Sequence, residues 1–427
     1  MTIHVVKKGD TIQSIASQYK VSPTRLAQDN MLDPNQPLVE GQTVVILFPE
    51  QIHIVKEGDT LVSIAKQYNV SVINLIQNNS WLTMETKLAP GQEVVISFKG
   101  EKLGNIALNG YAYPFIKSEI YLDTLPYLTY TTLFTYGFTK DGTLIPIDDQ
   151  QLINTARNFG VAPLMLISTL TSEGVFSNEL AHAILNDMTA QNNLINNVLE
   201  NMKKKNYYGL DIDFEYILPE DRLAYVDFIK NITTKLNPQG YEVMVALAPK
   251  TSATQPGLLY ESHDYKRIGE VANKVLLMTY EWGFTFGPPM AVAPINKVRE
   301  VLDYAVTEID PAKIFLGVPN YGYDFKLPFV KGTSQAKSLG NVEAVNLARE
   351  VGAAIQYDET SQAPFFKYKD SDGSDHEVWF EDARSIEAKL RLVPEYNFQG
   401  ASYWTIMKFF PQSWLVAISL FNIDKLI

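Results

Sequence analysis

The chain has 427 residues, 46% apolar and 11% aromatic, which is ample for packed cores, excludes disorder and calls for at least two domains. A net charge of −12 excludes a nucleic-acid surface, which needs clustered cations. With no cysteine there are no disulfides, thiolate nucleophiles or cysteine metal sites, and no apolar run reaches the ~18 residues that would suggest a membrane span.

The N-terminal hundred residues are an internal repeat. Ile3-His-Val-Val-Lys-Lys-Gly-Asp-Thr11 returns 49 residues later as Ile52-His-Ile-Val-Lys-Glu-Gly-Asp-Thr60. The register persists through Ile15-Ala16 and Ile64-Ala65, Tyr19 and Tyr68, Leu26 and Leu75, and Asn30 and Asn79. Each unit, 1–49 and 50–99, reads as strand, helix, helix, strand. The Gly-Asp turn precedes a helix that Asp or Thr can cap, with Ile12, Ile15, Ala16 and Tyr19 at helical spacing. Modules this small have thin cores, which suits binding rather than catalysis. The N-terminus lacks an apolar stretch behind a basic start, so no signal peptide is read there.

After a polar joint at 98–102, eight apolar, β-branched runs alternate with helical stretches. The predicted strands are Asn105–Tyr111, Tyr130–Phe138, Pro163–Ser168, Gly209–Phe214, Val243–Leu247, Val275–Thr279, Ile314–Val318 and Gly400–Thr405. The clearest helices are Asn178–Lys204, Pro219–Leu236, Ile295–Glu308 and Asp382–Leu392; only the first gap has a weak helix signal. This alternation predicts an α/β fold, a (β/α)8 TIM barrel over 100–427. The surplus over the ~250 residues of a plain barrel falls between strands seven and eight, where a small α+β insertion is expected at about 325–381. Its Ser371-Asp-Gly-Ser374 reads as a hairpin turn, and His376 as part of a solvated hairpin edge.

The most informative strand is Tyr207-Tyr-Gly-Leu-Asp-Ile-Asp-Phe-Glu-Tyr216. Side chains alternate along it, so Leu210, Ile212 and Phe214 face the helices while Asp211, Asp213 and Glu215 face the barrel interior at steps of about 7 Å. Desolvation and mutual repulsion should raise at least one pKa, as a general acid near neutral pH requires. Glu215 falls at the carboxyl end, the catalytic face of such barrels. A divalent ion could sit among such oxygens, but no histidine or further acid cluster accompanies them, so neither metal nor cofactor is expected.

These motifs resemble two families. The repeats resemble LysM modules, which implies binding of N-acetylglucosamine-containing glycans. It also implies contacts at Gly9, Asp10, Thr11, Ile12 and Asn30, and at Gly58, Asp59, Thr60, Leu61 and Asn79. The strand resembles the D-G-x-D-x-D-x-E signature of glycoside hydrolase family 18. Met278-Thr-Tyr-Glu281 resembles that family's M-x-Y-D, Gly317-Val-Pro-Asn-Tyr-Gly322 its G-x-P-x-Y-G, and Trp404 its subsite-floor tryptophan. Two positions depart from the pattern: Tyr208 and Glu281 stand where the family has aspartate.

The resemblance implies substrate-assisted, retaining cleavage. Glu215 is the acid/base, Asp213 holds the acetamido N–H, Asp211 supports Asp213 and Tyr280 donates to the acetamido oxygen. Trp404, Tyr208, Glu281, Asn320 and Tyr321 are expected to bind substrate. The pairing of two LysM repeats with this barrel is similar to the SleL/YaaH group of spore cortex-lytic N-acetylglucosaminidases. That implies a monomer acting on peptidoglycan in the spore wall of an endospore former. A chitinase and a non-catalytic wall-binding or coat protein are the alternatives.

Overall fold

In the computed structural model, which describes residues 1–427, each N-terminal repeat folds as strand, helix, helix, strand. The first comprises Thr2–Val5, Ile12–Tyr19, Pro23–Asp29 and Thr43–Ile46, the second Pro49–Ile54, Leu61–Tyr68, Val72–Asn78 and Glu93–Phe98. The two strands of each pair are antiparallel. Thr11 and Thr60 cap the first helices, each accepting from the backbone of the serine three residues on, while that serine's hydroxyl accepts from the cap backbone. Asp10 and Asp59 do other work. Asp10 accepts from the Lys7 N–H and lies 2.9 Å from His4 Nε2, while His4 Nδ1 lies 3.1 Å from the Tyr19 hydroxyl. His53, Asp59 and Tyr68 repeat that bridge. Each strand histidine thus ties turn and helix to its strand.

Eight parallel strands close the barrel, each paired to the next and the first paired to both the second and the eighth. They are Gly104–Ala112, Tyr130–Phe138, Ala162–Ser168, Gly209–Asp213, Glu242–Leu247, Lys274–Leu277, Ile314–Pro319 and Gly400–Trp404. Outward residues such as Leu210, Ile212 and Phe214 pack under the helices in the largest core. Inward residues such as Ala107, Tyr111, Leu166 and Phe315 fill the barrel. The stretch expected as one helix over 178–204 is two, Asn178–Asn186 and Met188–Lys205. Asp187 breaks it by capping the second, accepting from the Thr189 and Ala190 N–H groups. The weak first gap holds the short helix Ser118–Thr124 and a 3₁₀ turn, Leu125–Tyr127. No helix is long and apolar enough to cross a membrane.

The inserted unit is a five-stranded antiparallel sheet with the helix Asn341–Val351. Its sheet begins at Gly322, a few residues before the expected bound, because Gly322 already lies against Trp379. A Cβ there would stand 2.2 Å from the Trp379 carbonyl oxygen, so only glycine permits the approach. His376 does not sit at a solvated edge. It is buried, with Nδ1 2.8 Å from Asp324 Oδ1 and 3.2 Å from the Tyr368 hydroxyl, because its alternation places it on the covered face of the sheet.

The two N-terminal repeats are seated on the barrel. Val45 and Leu47 join its core, Thr43 and Gln412 exchange two hydrogen bonds of 2.6 Å, and the Ile355 N–H donates to the Glu40 carbonyl. Gly41 (φ +85°) approaches the Ile355 backbone where any Cβ would collide.

Candidate active site

The fourth strand ends at Asp213, and the chain keeps its alternation for two more residues, so Glu215 stands at the rim above Asp213 and Asp211. Asp211 is fully buried; its Oδ2 accepts a 2.5 Å bond from the Tyr111 hydroxyl, and its Oδ1 has no partner. Burial lifts its pKa to about 6. Asp213 is also buried, with Oδ1 unpartnered. Burial first, then repulsion from Glu215 and Asp211, raise it well above the usual carboxylate range. Burial, with repulsion from Glu281, pushes Glu215 up to about 7. A carboxyl that still holds its proton near neutral pH is equipped to give it away.

Asp213 and Glu215 open onto a cavity of about 460 Å³ shared with Tyr280, Glu281, Trp282 and Trp404. The Trp404 ring is fixed edge-on against Tyr111, Tyr113 and Phe134 at centroid distances of 5.1–6.2 Å, which leaves a partly exposed indole as a floor. Tyr280 is buried, and burial with nearby Asp213 keeps its hydroxyl protonated and able to donate. Glu281 sits in the left-handed region at φ +67°, a conformation costing a non-glycine residue roughly 1–2 kcal/mol. Hydroxyls of Tyr321 and Tyr323 donate to its carboxylate there.

The sequence-predicted residues therefore divide. Asp211, Asp213, Glu215, Tyr280, Glu281 and Trp404 converge, with Tyr321 behind Glu281. Tyr208 does not. It lies at the amino end of the strand, seven residues from Glu215 or roughly 23 Å along an extended chain, with its ring against Tyr130. It is corrected from a substrate contact to a half-buried ring packed on the inner core at the amino end of the barrel. Asn320 is buried and donates to the carbonyls of Thr405 and Lys408, both at 2.9 Å. It shapes the turn after Trp404 instead of presenting its amide to a ligand.

In the modules, Asn30 and Asn79 are likewise buried. Each side chain clasps the closing strand, at Val45 or Val95, and the preceding helix, so neither has a free amide for a sugar. Ile12 and Leu61 are core residues, and Gly9 and Gly58 (φ +91° and +86°) make the turn. Asp10 and Asp59 are engaged by the histidines, and Thr11 and Thr60 by their caps.

Two contributors were not singled out from the sequence. The signal for Tyr111 is strand alternation, since Ala107, Asn109 and Tyr111 all point inward along the first strand. No such signal marks His263, which lies in a loop 48 positions beyond Glu215. It is buried, and its Nδ1 accepts from the Ala248 N–H at 2.8 Å, so its Nε2–H donates to the Phe214 carbonyl at 2.9 Å. Burial lowers its pKa to about 4, so the ring stays neutral. It thereby pins the peptide between Asp213 and Glu215 to the end of the fifth strand.

Comparison with known proteins matches this architecture. The family model for glycosyl hydrolases family 18 matches residues 115–408, and that for the LysM domain matches 4–47 and 53–97. The cortical fragment-lytic enzyme of Bacillus subtilis (strain 168) is 43% identical, over 100% of this chain and 99% of that protein. The crystal structure of the Bacillus megaterium QM B1551 spore cortex-lytic enzyme SleL superposes with a TM-score of 0.84 at 40% identity, covering 100% and 99% of the two chains. That of the Bacillus cereus spore cortex-lytic enzyme SleL gives 0.84 at 39%, covering 99% and 98%.

Proposed function

This chain belongs to the family 18 glycosyl hydrolases and carries two LysM domains, and from that membership we propose that it cleaves N-acetylglucosaminyl bonds of spore cortex peptidoglycan. Its relatives are named for lysis of cortical fragments and match it end to end, which supports that substrate. The enzyme is a glycosidase. Its LysM domains bind N-acetylglucosamine-containing glycan and hold the barrel, as a monomer, on the wall.

The observation that carries the mechanism is the file of Asp211, Asp213 and Glu215, the first two buried and the third at the rim, with all three pKa values raised. Glu215 gives its proton to the glycosidic oxygen as the bond from that oxygen to the anomeric carbon breaks. The substrate's 2-acetamido oxygen donates a lone pair to the anomeric carbon and forms an oxazolinium ion, the substrate-assisted variant of glycoside hydrolysis. Asp213 accepts the acetamido N–H and faces the developing positive charge, with Asp211 below it to share a proton. Tyr280 donates to the acetamido oxygen, and Trp404 stacks under the sugar ring. Glu215, now ionised, takes a proton from water as the water oxygen bonds to the anomeric carbon and the bond from that carbon to the acetamido oxygen breaks, which restores the acetamido group. Two displacements return the original configuration.

The test is mass spectrometry of cortex fragments, pre-cut by a separate lytic enzyme, after incubation with the protein or its Glu215→Gln variant. New products ending in reducing N-acetylglucosamine are expected from the wild type. The variant should lose about 10²–10⁴-fold in rate while still binding. Cleavage of chitin oligomers alone would replace this reading with a chitinase. No cleavage of either would leave a wall-binding protein.

A further inference from the structure

The catalytic cavity has a far end that none of these steps uses. Trp404 and its neighbours Tyr111, Tyr113 and Phe134 come from the eighth, first and second strands and the turn after the first, on one side of the barrel mouth. Glu215 follows the fourth strand, across the mouth from them. The loops beside it, after the third and fifth strands, extend the same 460 Å³ cavity with Leu170, Phe176, Thr251, Gln255, Leu259 and Tyr260. A separate hollow of about 300 Å³ is bordered by Glu281 and Trp404 but not by Glu215. The acid must stand at the oxygen between the sugar on Trp404 and the sugar that leaves. The leaving sugar therefore occupies the Glu215 end of the cavity, between the two loops.

The loop after the fifth strand is braced in place. Lys250 is buried; its backbone N–H donates to the Tyr265 hydroxyl and its ammonium to the His263 carbonyl, both at 3.0 Å. The Ser262 hydroxyl donates to the Leu218 carbonyl at 2.8 Å, which ties the loop to the chain just past Glu215. Gln255 is held by one end only. Its side-chain oxygen accepts from the Thr251 N–H at 2.7 Å and from the Thr251 hydroxyl at 3.2 Å. A backbone N–H can only donate, so the atom it meets is the oxygen, and the amide nitrogen is the free end. That nitrogen has no partner within the chain, and the side chain is half-buried on the cavity wall.

We propose that Gln255 is a specificity-determining residue, whose amide N–H donates to the amide carbonyl of the sugar that Glu215 releases. This rests on the hydrolase reading of the site, with Glu215 as the acid. Asp213, Glu215 and Glu281 line the cavity and no lysine or arginine does, so an uncharged acceptor suits it better than an anionic one. A sugar acylated on its C2 nitrogen carries such a carbonyl. Because Thr251 already fixes the oxygen of Gln255, the contact costs little further side-chain entropy.

The test runs the full chain on two substrates. Cortex fragments release an N-acylated sugar, whereas an aryl glycoside of N-acetylglucosamine oligomers releases a group with no amide. Gln255→Glu keeps the oxygen that Thr251 holds and replaces the donor with an acceptor; Gln255→Leu removes both. At its own pH optimum, each variant should lose about tenfold in kcat/KM on fragments and stay within about twofold of wild type on the aryl glycoside. Unaltered melting temperatures show that the variants fold. Wild-type rates from both variants on fragments would overturn the proposal. So would equal losses on both substrates, which would mean that Gln255 holds the loop and not a sugar. A wild-type protein that cuts neither substrate would instead sink the hydrolase reading, and the proposal with it.

Discussion

Replacing Tyr111 with phenylalanine tests whether the charge of Asp211 is held by one hydroxyl. The bond is 2.5 Å long and ends on a fully buried carboxyl whose other oxygen has no partner. Losing a hydrogen bond to a charged group costs about 1.5–3 kcal/mol, and to a neutral one about 0.5–1.5. With an unfolding entropy of about 2.1 cal/mol/K per residue, a barrel of this size loses roughly 1.5 °C per kcal/mol. Burial raises Asp211 to about 6, above its unfolded value, so its ionised form opposes folding above that pH and Tyr111 offsets part of the opposition. Removing the hydroxyl raises the pKa further, and the deficit must grow as pH rises through 6. Melting followed by circular dichroism should show Tyr111→Phe lower than wild type by about 2–4 °C at pH 8. At pH 5, where Asp211 is protonated in both proteins, the gap should shrink to about 1–2 °C. A deficit equal at both pH values would mean that the bond supports packing and not the charge, and would refute the reasoning.

Two more substitutions probe the same site. Glu281→Gln removes the charge that, after burial, keeps Glu215 protonated. Its pKa should fall from about 7, and the alkaline limb of kcat/KM on cortex fragments should move to lower pH; an unmoved limb counts against the coupling. His263→Phe frees the peptide between Asp213 and Glu215. Steady-state kinetics should show kcat lower by about 10²-fold with KM within about twofold, and His263→Asn, which can still donate and accept, should recover part of it; a loss confined to KM would exclude a positioning role.

What the sequence made legible was whatever repeats at short range. Strand alternation alone put Asp211, Asp213 and Glu215 on one face, and the helices found Leu210, Ile212 and Phe214 on the other. The same rule, carried to the first strand, reaches Tyr111. Tyr208 shows where matching a motif by position misleads. A signature reads as one string, but an extended strand spreads it along the barrel, so its first residue and its last stand at opposite ends.

The less legible features are contacts between segments far apart in sequence. No local pattern marks His263 as the partner of Phe214, or Gln412 as that of Thr43. Asn30 and Asn79 have the composition of sugar ligands, yet a buried strand with unpaired backbone groups has first claim on an amide that can both donate and accept. His4 and His53 likewise read as ordinary strand residues until the turn aspartate and the helix tyrosine close around them. The modules' inequivalence has the same origin. Repetition dictates the fold of each unit, whereas the barrel meets the two second helices unequally: Gln77 is buried and donates to the Pro126 carbonyl, while its counterpart Gln28 is exposed.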